Sequence, residues 1–92
     1  MKVQLSSIGN PDFNQNPNMT LFGCEPNKSV EVKTFKEASD VCTKFINDND
    51  LGSGNWDGGQ IFDGKKQVAY VSYNGRVWQG QEGVGQRVEI KI

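Results

Sequence analysis

The chain has 92 residues, 35% of them hydrophobic and 23% charged, with 10 Lys+Arg against 11 Asp+Glu, no histidine and two cysteines. A chain of this length holds one hydrophobic core and no second domain, because domains usually run to about 100–150 residues. The net charge of −1 supplies no long-range field for gripping a polyanion, so free DNA is not an expected partner.

The missing histidine removes the commonest general base, the Ser-His and Cys-His nucleophile pairs, and the commonest zinc ligand. The apolar runs are far shorter than the ~20 residues that span a bilayer, and Met1 to Ser6 lacks the apolar stretch of a signal peptide. The chain therefore reads as soluble and cytoplasmic.

In chain order, Lys2 to Ile8 alternates polar and apolar residues and reads as a first strand, ended by Gly9-Asn10-Pro11. Asp12 to Asn18 is rich in Asn, Gln and Pro and reads as a loop before the short apolar run Met19 to Phe22. Glu25 to Lys28 reads as a turn, and Val30 to Lys33 alternates as a half-buried strand. Thr34 followed three residues later by Glu37 is a capping box, in which hydroxyl and carboxylate satisfy orphan backbone N–H groups at a helix start.

The helix is thus expected from Phe35 to about Asp48–Asp50, burying Phe35, Ala38, Val41, Cys42, Phe45 and Ile46 and turning Ser39 and its polar neighbours outward. Gly52 is available for a positive φ at its end. Beyond it the pattern is an antiparallel meander. Gln60-Ile61-Phe62 leads into the Asp63-Gly64 turn, and Gln67 to Tyr73 is a long strand. Asn74-Gly75 reads as a two-residue type I′ turn into Arg76 to Gln79, which sets Tyr73 opposite Arg76 and Val71 opposite Trp78. Gly80 to Gly85 is a flexible connection, and Arg87 to Ile92 closes the chain with Val88, Ile90 and Ile92 inward. The predicted fold is a single α+β domain over 1–92, with an antiparallel β-sheet meander packed against one amphipathic helix.

Both faces of the Tyr73/Arg76 hairpin carry apolar residues, yet there is one good amphipathic helix to cover them. Either the segment around Phe13 and Met19 to Phe22 covers the second face, or that face is an aromatic patch for a partner. A single-strand-stacking version of the latter would use Lys65, Lys66 and Arg76 near the hairpin tips for phosphate contacts.

Few motifs point to chemistry. Cys24 and Cys42 are too isolated for a zinc site and read as buried reduced thiols. Ser53 to Gly58 superficially follows a calcium loop, but its twelfth position is Gly64 where a bidentate Glu belongs, so a tight structural turn is the expectation. Gly80 to Gly85 has no following Lys-Ser/Thr and precedes a strand, unlike a phosphate-binding loop. No catalytic residue, cofactor or metal is expected.

Leu51 to Trp56, Gly58-Gly59 and Val68 to Trp78 together resemble a pattern in small proteins of phages and mobile elements. In size and layout the chain is similar to small type I-F anti-CRISPR proteins. That resemblance implies a non-catalytic inhibitor that occupies a bacterial RNA-guided surveillance complex and blocks target DNA binding or nuclease recruitment. It carries over no binding residue. The expected partner surface comes instead from residues at turns and strand ends, Lys28, Lys33, Lys65, Lys66, Tyr73 and Arg76, with Arg76 stacked on the Tyr73 ring and facing Cas-subunit acidic groups or guide-RNA phosphate. The alternatives are a small-molecule-binding or enzymatic accessory protein of a mobile element, and a self-associating structural protein.

Overall fold

The computed structural model describes residues 1–9, 27–81 and 87–92. The loop at Asp12–Asn18, the run Met19–Phe22 and Cys24 lie outside the described residues, as do Phe13 and most of the Gly80–Gly85 connection. In the described part, inward and outward side chains alternate along β1 (Lys2–Leu5), with Val3 and Leu5 buried. The strand is shorter than its sequence pattern. After Leu5 the chain leaves the ladder, and the Ser7 N–H donates to the Asn27 side chain at 3.1 Å while Ser7 bridges Trp56.

Strand β2 (Lys28–Glu31) pairs antiparallel with β1, two residues earlier than its alternation suggests. Beyond the strand's end the Val32 N–H bonds the Met1 carbonyl at 2.8 Å, and Val32 lies in the core. Helix α1 (Phe35–Asp48) starts where the capping box puts it. Thr34 Oγ1 accepts from the Glu37 N–H at 3.0 Å, and the Glu37 carboxylate accepts from the Lys33 N–H at 2.7 Å, one residue before the cap itself.

The helix ends in a left-handed residue, but that residue is Asp50, with φ 51, and not Gly52. The Leu51 N–H returns to the Ile46 carbonyl at 3.0 Å, the long bond of a Schellman motif, and seats Leu51 in the core. Ion pairs Lys36–Asp40 and Lys44–Asp48 line the exposed face. On the inner face Ala38, Cys42, Phe45 and Ile46 are buried, while Phe35 and Val41 pack against the core only in part. Ser39, expected outward, is buried, because its hydroxyl donates to the Gly75 carbonyl at 2.6 Å.

After a 3₁₀ turn at Ser53–Asn55 come β3 (Gln60–Asp63), β4 (Lys66–Val71), β5 (Val77–Gln79) and β6 (Glu89–Ile90). The six strands form one antiparallel sheet in the order β2-β1-β3-β4-β5-β6, with α1 laid across β1 and β4. The α+β architecture is the one the sequence predicts. Val3, Leu5, Ile61, Ala69, Val71 and Val77 join the helix side chains in one core. No helix of the described residues is long and apolar enough to cross a membrane.

The β4–β5 hairpin departs from its expected register by one residue. Val71 pairs with Val77 and Tyr70 with Trp78. The loop is a three-residue one: the Gly75 N–H bonds the Ser72 carbonyl at 2.9 Å, the Ser72 N–H bonds the Arg76 carbonyl at 2.9 Å, and Gly75 sits at φ +84. A type I turn followed by a left-handed Gly therefore replaces the two-residue type I′ turn. A one-residue slip moves every side chain to the other face. Val77 consequently enters the core and Trp78 lies on the sheet's outer face.

Candidate partner-binding surface

The ladder fixes which ends of the sheet the expected site residues occupy. Leu5 pairs with Lys28, the Gly59 N–H donates to the Gln4 carbonyl, and the Gly59 carbonyl accepts from the Val71 N–H, so Lys28 and the Tyr73–Arg76 turn share one end. Lys2 pairs with Glu31 and Phe62, which puts Lys33 and the Lys65–Lys66 turn at the opposite end. The six residues therefore do not form one surface. Even at the shared end, Lys28 on edge strand β2 stands apart from Tyr73 and Arg76, with β1 and β3 between them.

Tyr73 and Arg76 flank one turn without stacking. Their one-residue shift in register removes the cross-strand position that would have joined them. Among the described residues the cation–π contact is instead Arg87, whose Cζ lies 4.0 Å from the centroid of Trp78. Sequence reasoning missed it because Trp78 had been placed on the wrong face; the outer-face position of Trp78, opposite Glu89, is what brings Arg87 within reach. The indole N–H of Trp78 donates to Ser72 Oγ at 3.2 Å. On the same face Tyr70 is buried, and its hydroxyl has no partner among the described residues.

The Tyr73 phenol is held from outside the hairpin. Its hydroxyl donates to the Leu51 carbonyl at 2.8 Å, while the residue remains 41% exposed. Beside it, Trp56 bonds the Val71 carbonyl through its indole N–H at 3.2 Å and meets Phe45 with ring centroids 6.1 Å apart. Between the 3₁₀ turn and the hairpin lies a cleft of about 160 Å³ bordered by Ser53, Trp56, Asp57, Gln60, Ser72 and Tyr73.

The Ser53–Gly58 segment is tied down by its own polar groups, as the structural-turn expectation has it. Asn55 Nδ2 donates to the Ile8 carbonyl at 2.9 Å, and the Asp57 N–H donates to the Ser6 carbonyl at 3.1 Å. Gly58 and Gly59 have steric reasons of their own. A Cβ on Gly58 would lie 2.7 Å from Gln4 O, and one on Gly59, at φ +97, would lie 2.2 Å from Val71 O. The two glycines are thus accounted for by β1 and β4 passing close to this turn. No group of three or more His, Cys, Asp or Glu side chains converges among the described residues.

Cys42 is a buried free thiol, and burial pushes its pKa up to about 12. A thiol kept protonated in the core is a packing residue and not a nucleophile. The chain matches no described protein family, no curated protein and no solved structure.

Proposed function

We propose that the chain is a non-catalytic binding domain that docks on a macromolecular partner through the sheet end carrying Tyr73 and Arg76. The observation that carries this reading is the Tyr73 ring, exposed yet pinned by its hydroxyl to Leu51. A ring held in place before contact loses little freedom on binding, and the exposed Arg76 on the same turn, without an ion pair among the described residues, supplies directional donors. Among the described residues, three clefts of about 130, 160 and 260 Å³ are each smaller than the roughly 300–1,000 Å³ that hold small organic ligands, so none of the three favours a metabolite.

As partner we propose a bacterial type I-F CRISPR surveillance complex, on the likeness of the chain's size and helix-plus-meander layout to small type I-F anti-CRISPR proteins. A chain of net charge −1 suits a surface that mixes acidic protein groups, guide-RNA phosphate and basic DNA channels better than it suits naked DNA. The inhibitor acts by occupancy, one chain per site, without turnover.

The test is binding of the purified complex to the immobilised wild-type chain and to folded Tyr73→Ala, Arg76→Glu, Lys28→Glu and Lys65→Glu/Lys66→Glu variants. Loss of an anchor is expected to weaken binding about thirtyfold, and reversal at Lys65 and Lys66, at the far end of the sheet, only slightly. No binding by the wild type overturns the choice of partner. Tight binding by both Tyr73→Ala and Arg76→Glu overturns the choice of surface.

A further inference from the structure

Among the described residues, strand β6 is the last strand of the sheet and pairs on one side, with β5, through Val77↔Ile90 and Trp78↔Glu89. Its hydrogen-bonding parity follows from one bond, the Gln79 N–H donating to the Val88 carbonyl at 2.8 Å. In an antiparallel ladder alternate residues turn their backbone groups to the same neighbour. Val88 and Ile90 therefore face β5, and the N–H and C=O groups of Glu89 and Lys91 point outward from the edge.

Side chains along the edge divide between the two faces. Ile90 pairs with buried Val77 and so lies on the helix side, and alternation puts Val88 and Ile92 there too. The helix lies across β1 and β4 and leaves this side of β6 open, with Val88 44% and Ile92 56% exposed. Glu89 and Lys91 occupy the opposite side, where their side chains contact each other at 3.1 Å.

We propose that β6 pairs with β6 of a second copy of this chain, antiparallel about a two-fold axis at Ile90. The sequence Val88-Glu89-Ile90-Lys91-Ile92 is self-complementary about that point. Val88 meets Ile92 of the other copy, Glu89 meets Lys91, and Ile90 meets its own equivalent. The outward backbone groups are those of Glu89 and Lys91, the pair this register sets face to face, so the register forms four interchain backbone bonds and two cross-strand ion pairs. On the helix side the exposed Val88 and Ile92 of the two copies cover one another.

The other edge does not offer this. A two-fold axis normal to the sheet keeps each side chain on its own face, so it pairs only residues an even number apart. On β2 the opposite charges an even number apart are Glu31 and Lys33, but Lys33 lies beyond the strand and its N–H already bonds the Glu37 carboxylate at 2.7 Å, so the same set of interchain backbone bonds cannot form on that edge. Its charged ends act as protection against edge pairing.

A strand pair this short lies at the small end of specific interfaces, so association in the micromolar range is expected. Sedimentation equilibrium of the full chain from about 1 µM to about 1 mM, with circular dichroism to confirm folding, tests the pairing. The wild type is expected to pass from monomer to dimer across this range. Glu89→Lys or Lys91→Glu alone sets like charges opposite twice per dimer and is expected to weaken association at least about tenfold, while the double exchange Glu89→Lys/Lys91→Glu restores it to within about threefold. Ile92→Asp, at the most exposed of the apolar positions, is expected to weaken it without affecting the fold. A wild type that stays monomeric throughout, single reversals that associate like the wild type, or a double exchange as weak as the singles would each overturn the proposal.

Discussion

The Tyr73 hydroxyl donates to the Leu51 carbonyl at 2.8 Å, joining the tip of the β4–β5 hairpin to the residue that follows the helix C-terminus. A second tie, from Ser39 Oγ to the Gly75 carbonyl at 2.6 Å, reaches the same turn from the helix itself. Two bonds of different origin thus fix the one turn that the proposed partner surface uses.

Tyr73→Phe keeps the ring and removes the first tie, with an expected cost of about 0.5–1.5 kcal/mol. Ser39→Ala leaves a partly buried carbonyl without its donor, and about 1 kcal/mol is expected. Chemical denaturation measures both, and Tyr73→Phe is expected to weaken partner binding less than Tyr73→Ala.

Gly59 and Gly64 separate two effects of backbone conformation. Both have positive φ, but a Cβ at Gly64 meets nothing within 4 Å whereas one at Gly59 lies 2.2 Å from Val71 O. Gly64→Ala is expected to cost about 1 kcal/mol from the left-handed conformation alone. Gly59→Ala must also push β3 from β4, and thermal melts are expected to show either a fall several times larger or no cooperative folding.

Phe45 is 3% exposed and packs on Trp56, so Phe45→Ala is expected to cost about 3–5 kcal/mol. Thr34→Ala removes the N-cap acceptor for Glu37 and is expected to cost about 1 kcal/mol. Urea titration distinguishes the two; an equal loss would contradict the assignment of one to the core and the other to a solvent-exposed cap.

Cys42 gives stability a dependence on alkaline pH. Its pKa is raised from 9.0 to about 12 by burial, so above pH 9 the unfolded chain releases the thiol proton while the folded chain keeps it. The folded state then binds more protons, and stability falls as pH rises from about 9 toward 12, by up to about 1.4 kcal/mol per unit. Cys42→Ala is expected to flatten that slope, measured by denaturation between pH 8 and pH 10. Alkylation of Cys42 is expected only as fast as the chain opens.

Local chemistry alone determined the helix and its start, because Thr34 and Glu37 satisfy orphan N–H groups within one turn and the apolar spacing of Ala38, Cys42 and Phe45 is a property of that segment. It likewise determined the α+β class and most of the strands. The hairpin register was decided by tertiary structure. Asn74-Gly75 serves a type I′ turn or a type I turn with a left-handed Gly, and burying both Val71 and Val77 under α1 selects the second. From that one-residue choice follow the outer position of Trp78, its contact with Arg87, and the separation of Arg76 from the Tyr73 ring. Ser39 turned inward for the same kind of reason, since its partner carbonyl lies 36 residues away. The six expected site residues fell at two ends of the sheet because strand order and direction, which join residues far apart in the chain, are set by the packing of the whole core.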